Sequence, residues 1–109
     1  MVSKRVRRRY LALKVVCEEP VNGRDVMGAI WSAVLQLFGE YGASQTSLSL
    51  IEFDPQKNCA VVRCSHTALE MVRASLASMT EINGKPMVIQ VLGVSGTLRA
   101  LRRKALLQG

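Results

Sequence analysis

Arg99, Arg102 and Arg103, within the stretch 87–104, are the residues of this chain whose types and spacing best suit a binding site. At about 100° per residue they gather on one side of a helix, while Leu98, Leu101 and Ala105 gather on another. One stripe docks, and the other presents three guanidinium groups followed by Lys104. The apolar run before them, 87–92, has strand length and is rich in Val and Ile, so the periodicity switches between Gly93 and Thr97. Ser95 or Thr97 can cap the new helix and leave first-turn N–H groups free beside Arg99, an arrangement that suits a phosphate. The plain alternative is an ordinary cap followed by a solvated cationic face.

Groups that could activate a nucleophile or hold a metal are few. His66 is the only histidine, and Cys64 two residues before it would not point at the same atom from a strand end. Cys17, Cys59 and Cys64 form no C-x-x-C pair and, with one histidine, make no recognisable zinc site. They are expected as reduced core thiols. Glu18, Glu19, Glu52 and Asp54 are scattered over turns and strand ends and read as solvated. No catalytic residue, metal or cofactor is therefore expected on this chain.

Charge points more clearly. Residues 1–17 hold six Lys or Arg and no acid, residues 18–81 hold four against eight acids, and residues 82–109 hold five and no acid. The segment charges of +6, −4 and +5 make the formal +7 a property of the two ends, which favours a polyanionic partner. A length of 109 residues suits one domain spanning 1–109, without repeats or linkers. The apolar run after the basic start is interrupted by Lys14 and closed by Glu18 and Glu19, too short and too charged for a signal peptide or membrane span. A soluble intracellular protein is expected.

The elements that must position these groups follow in order. Residues 10–17 alternate, with Leu11, Leu13, Val15 and Cys17 on one face and Tyr10, Ala12, Lys14 and Val16 on the other, as a half-buried strand does. Asn22 or Asp25 can cap a helix carrying Val26, Ile30, Ala33, Val34, Leu37 and Tyr41, with Gly42 as its stop. Trp31, Leu35 and Phe38 widen its apolar face. Residues 47–53 and 59–65 form a hairpin around Asp54-Pro55 and Asn58. Thr67 and Glu70 have capping-box spacing before a second helix over Leu69, Val72, Leu76 and Met79 that runs up to Asn83-Gly84. A last strand then places Met87, Ile89 and Val91 inward. The order is the ferredoxin-like, RRM-like βαββαβ sandwich of an α+β fold, a four-stranded antiparallel sheet with an extra basic C-terminal helix. Its fourth strand pairs with its first, which would bring Arg7, Arg8 and Arg9 beside residues 93–99. The expected third strand has no aromatic residue for stacking bases, so backbone contact by cations is the better reading.

Four blocks, Arg8-Arg9-Tyr10-Leu11, Phe38-Gly39-Glu40-Tyr41-Gly42-Ala43, Val61-Val62-Arg63-Cys64 and Val94-Ser95-Gly96-Thr97-Leu98-Arg99, resemble the small protein subunit family of archaeal and eukaryotic ribonuclease P, called protein component 2 in archaea. The last block is the most specific. This resemblance implies an endoribonuclease that removes the 5′ leader from precursor tRNA, in which the RNA subunit performs metal-assisted hydrolysis and carries the Mg²⁺. It implies as partners the ribonuclease P RNA, the barrel-like protein component 3, other protein subunits and, through the complex, precursor tRNA; family members also self-associate, which leaves a homodimer open. A cytoplasmic protein of archaeal source is expected, because eukaryotic relatives carry longer C-terminal tails. Arg7, Arg8, Arg9, Arg99, Arg102, Arg103 and Lys104 would then meet RNA, and Ile30, Trp31, Val34, Leu35 and Phe38 a protein partner. The rival reading is a ferredoxin-like domain for a small ligand or regulatory protein, without RNA.

Overall fold

The computed structural model describes residues 7–108, with side chains for residues 7–103. Strand β1, Arg8–Cys17, alternates apolar side chains as the sequence requires and lies in the middle of the sheet. It pairs antiparallel with β3, Cys59–Ser65, on one edge and with β5, Lys85–Ser95, on the other. Strand β2, Ser49–Asp54, lies outside β3, and the two-residue β4, Glu81–Ile82, lies outside β5, giving the order β2-β3-β1-β5-β4. Two register shifts interrupt the ladder, one at Ile51 between β2 and β3 and one at Leu92 between β5 and β1.

The sheet thus has five strands, where the sequence reading anticipates four. Asn83 and Gly84 both take positive φ, 53° and 78°, and fold Glu81–Ile82 back onto Lys85 and Pro86 in a two-residue turn. The helix expected to run up to Asn83-Gly84 consequently ends earlier: α2 spans Leu69–Ser78, and Met79 is already extended. Its capping box does not form. A 3₁₀ turn, His66–Ala68, leads into α2 instead, and Ser65 Oγ donates to the Gln45 carbonyl at 3.0 Å.

The first helix, α1, spans Gly23–Ser44, and Asn22 caps it by accepting the Asp25 N–H at 2.7 Å. Its buried stripe of Val26, Ile30 and Val34 meets Leu11, Leu13 and Val15 of β1, Ala60, Val62 and Cys64 of β3 and Val72 and Leu76 of α2. Ile30 and Val34 have no exposed surface, so they belong to the chain's own core and not to a partner interface. The flank that remains accessible is Trp31 and Phe38, each 39% exposed, with half-buried Leu35. The helix also does not stop at Gly42. It breaks at Gly39, whose φ of 74° and ψ of 179° are non-helical, and resumes through Ser44.

Helix α3, Leu98–Gln108, lies on the sheet face opposite α1 and α2, where Leu101 and Ala12 are both buried. Full burial of one leucine is worth about 1.5–3 kcal/mol, enough to seat a short helix. The outer face is therefore partly roofed.

The Gly39 backbone lies in a region that only glycine occupies without strain, so Gly39→Ala should destabilise by about 1–3 kcal/mol. Gly28, in the same helix with open space where a Cβ would stand, is the control, and Gly28→Ala should stabilise by about 0.5–1 kcal/mol. Urea unfolding of the two variants checks both signs.

Candidate nucleic-acid interface

The β1–β5 register places Tyr10 opposite Ser95, so the first strand starts beside the turn into α3. The Arg9 guanidinium reaches that turn: its Nη1 lies where a Cβ on Gly96 would be 3.5 Å away, and it donates to the Arg8 carbonyl at 3.1 Å. The two basic ends of the sequence thus meet through the strand pair. They do not form one plane, because alternation along β1 sends Arg8 outward with Tyr10 and Arg9 inward with Leu11. Arg7 and Arg8 are exposed, and the Arg7 carbonyl accepts the His66 N–H at 2.9 Å.

Thr97, and not Ser95, is the cap of α3. Its Oγ1 accepts the Ala100 N–H at 3.1 Å and its carbonyl accepts the Leu101 N–H at 3.1 Å, while its own N–H donates to Ser95 Oγ at 3.4 Å. The N–H groups of Leu98 and Arg99 have no acceptor within the helix. Arg99 and Arg103 are exposed beside them. Arg102 is placed differently from the expected stripe: with Leu101 seated on the sheet, Arg102 reaches across to β2 and its Nη2 lies 3.3 Å from Glu52 Oε2. Both side chains are about half exposed, 57% and 48%, so the pair contributes about 0–1 kcal/mol. The Lys104 side chain lies outside the described residues.

The acids of the hairpin are engaged and not merely solvated. Glu52 holds Arg102, and Asp54 Oδ1 accepts the Gln56 and Lys57 N–H groups at 3.0 and 3.4 Å. Glu19 meets Lys85 Nζ at 3.4 Å. One further candidate, Arg63, carries no site role on sequence grounds beyond its place in a block of family resemblance. Arg63 of β3 is half-buried between Tyr10 and Ser49, and its Nε is buried without a hydrogen-bond partner.

The model of the Rpp14/Pop5 family matches residues 9–106, nearly the whole chain. The chain belongs to this family. It is 39% identical over 104 residues to ribonuclease P protein component 2 of Pyrococcus furiosus, covering 95% of this chain and 87% of that one. The protein of the same name from Methanosarcina mazei is 38% identical over 104 residues, covering 95% and 88%. A chain in the cryo-EM structure of yeast ribonuclease MRP superposes with a TM-score of 0.72 over 98% of this chain and 94% of that one; at 13% identity it shows a shared fold.

In this family member the groups able to do nucleophilic chemistry are poorly placed for it. His66 is exposed on the 3₁₀ turn, and among the described residues no acid is bonded to its ring. Among the described residues no three His, Cys, Asp or Glu side chains are grouped to share a metal ion, and no helix is long and apolar enough to cross a membrane. Cys64 is fully buried, and burial pushes its thiol up to about 11 while the nearby Arg9 pulls it partly back. Cys59 departs from the expected core role: pairing with Lys14 places it on the outer face, where its thiol donates to the Lys57 carbonyl at 3.5 Å.

The sign of the Cys64 effect on stability follows from proton binding. The folded state keeps its proton up to about 11 while the unfolded state releases it from the ordinary 9.0, so stability is full below pH 9 and falls as pH rises toward 11. Two pKa units correspond to at most about 3 kcal/mol. Denaturant unfolding at pH 8, 9.5 and 11 should show this decline in the wild type, and Cys64→Ala should lose less stability across the same window.

Proposed function

We propose that this chain is a protein subunit of ribonuclease P, which binds the catalytic RNA and supports it in removing the 5′ leader from precursor tRNA. The observation that carries this reading is the 39% identity, sustained over 95% of the chain, with a protein named ribonuclease P protein component 2. Strand order β2-β3-β1-β5, with α1 and α2 on one face, supports a ferredoxin-like description of the four long strands. The phosphodiester chemistry is assigned to the RNA subunit and its Mg²⁺, because the buried Cys64 thiol is a poor nucleophile and His66 has no orienting acid. Leader cleavage by the chain alone would overturn that assignment.

The RNA contacts are assigned to Arg7, Arg8, Arg9, Arg99 and Arg103, with Arg102 contributing less because Glu52 already occupies it. Nearby acids do not cancel the others, and the first turn of α3 adds N–H groups of the same polarity. A protein partner, protein component 3 or a second copy, is assigned to the exposed flank of α1. Trp31, Phe38, Leu37 and Tyr41 stand at 39%, 39%, 48% and 80% exposure, more apolar surface than one helix normally leaves wet. A cytoplasmic, archaeal setting fits the same reading.

Reconstitution with the RNA and the other subunits tests it. Arg99→Ala/Arg103→Ala should leave melting within about ±0.5 kcal/mol of wild type, since both side chains are exposed on a helix. The same variant should flatten the log–log salt dependence of RNA binding by about two units, one per lost contact. Arg73→Ala, on the exposed side of α2, should change neither. Unchanged leader cleavage by the double variant at high salt would remove these two residues from the interface. For the protein partner, Trp31→Ala/Phe38→Ala should abolish calorimetric binding to protein component 3 while RNA binding persists; intact binding would move that interface elsewhere.

A further inference from the structure

We infer that Arg63 is a phosphate-binding residue for RNA, seated with Tyr10 on the outer face of the sheet at the open side of the α3 turn. The inference rests on the ribonuclease P reading and adds a site to it. In register across the strands run Ser49, Arg63, Tyr10 and Ser95, and the next position toward the strand ends pairs Ser65 with Arg8. This end of the outer face carries two arginines and no acid. The nearest outward acid, Glu52, stands opposite Val61 and is held by Arg102.

Arg63 is half-buried and its Nε is sealed from solvent, yet among the described residues its side chain makes no hydrogen bond or ion pair. Residues 1–6 and 104–109 contain no Asp or Glu, so no acidic side chain of those segments completes it. A half-buried guanidinium whose Nε is withdrawn from water without an acceptor carries a cost to the fold, which an anion from outside would relieve. The planar fork of donors matches a phosphate in two-point contact. A phosphodiester backbone also suits the surroundings better than one carboxylate would, because consecutive phosphates can meet Arg63, Arg8 and the exposed Arg99 in turn. Tyr10, directly opposite Arg63 at a cross-strand spacing of about 5 Å, offers a flat face for the attached ribose or base.

The test uses the full chain and the ribonuclease P RNA as probe. Arg63→Met keeps the length of the side chain and removes the charge; Arg63→Lys keeps the charge and removes the fork. In the free protein Arg63→Met should melt at the wild-type temperature or above it, because a half-buried guanidinium with an unpartnered Nε has gone. Its RNA affinity at low salt should fall roughly tenfold, with a log–log slope flatter by about one. Arg63→Lys should recover the slope and only part of the affinity. Lower melting with weaker binding that Arg63→Lys does not recover would mark a structural arginine and overturn the assignment. Unchanged RNA binding with lost binding to protein component 3 would identify a protein carboxylate as the anion and overturn it as well. Wild-type binding with an unaffected Arg63→Met removes Arg63 alone, whereas a wild type that fails to bind the RNA removes the ribonuclease P reading and this site together.

Discussion

Strand β1 is hydrogen-bonded along both edges, and a slip of one residue in either ladder would carry Leu11, Leu13 and Val15 out of the core and turn Tyr10 and Lys14 into it. That register is what the remaining structure depends on. It fixes Arg63 opposite Tyr10 on one side and Ser95 opposite Tyr10 on the other, so three distant parts of the sequence meet in one row. It also sets where α3 begins, because the turn at 96–97 starts one residue beyond the last β1–β5 pair. Basic chain ends that would otherwise diffuse apart are brought together by backbone pairing, before any attraction to a polyanion is counted.

The third partial layer changes the character of the outer sheet face. An uncovered β-sheet of this topology can present its central strands to a ligand, but here Leu101 sits on the surface that contains Ala12 and the Arg102–Glu52 pair reaches the β2 edge. The small side chain of Ala12 is what leaves room for a helix so close to the strand. What stays accessible is the end of the face near Arg8, Tyr10 and Arg63, together with the far end where Val16 and Val88 pair at 46% and 57% exposure. The anchoring leucine and the exposed arginines are neighbours in α3, so the helix packs through one side and presents cations from the other.

Much of this was legible in the sequence because the signals were periodic. Alternation gave β1 and the hairpin, and the cap residues Asn22 and Thr97 were among the candidates that spacing allowed. The failures have specific causes. Asn83-Gly84 has the composition of a helix stop, yet between Ile82 and Lys85 it suits a two-residue hairpin turn equally well. A glycine after an apolar stripe commonly ends a helix, which points to Gly42, while the break at Gly39 depends on a φ no pattern reveals. Hydrophobicity alone does not separate Ile30 and Val34 from Trp31, because it does not say which flank of a wide apolar helix the sheet covers. Nothing in the sequence around Arg102 separates it from Arg99 and Arg103, because its acid lies 50 residues away in the chain. Arg63 looked like one cation in an acidic segment; only packing shows that none of those acids reaches it.

The two register shifts have a bearing on how the protein tolerates its own company. Long, straight outer strands invite another molecule to extend the sheet through unpaired N–H and C=O groups. Here β2 is six residues long and irregular at Ile51, while β5 starts behind β4 and Pro86 and is bent at Leu92. Neither side offers a regular template for strand addition, so crowding during synthesis or assembly favours contacts through side chains over fibrillar growth.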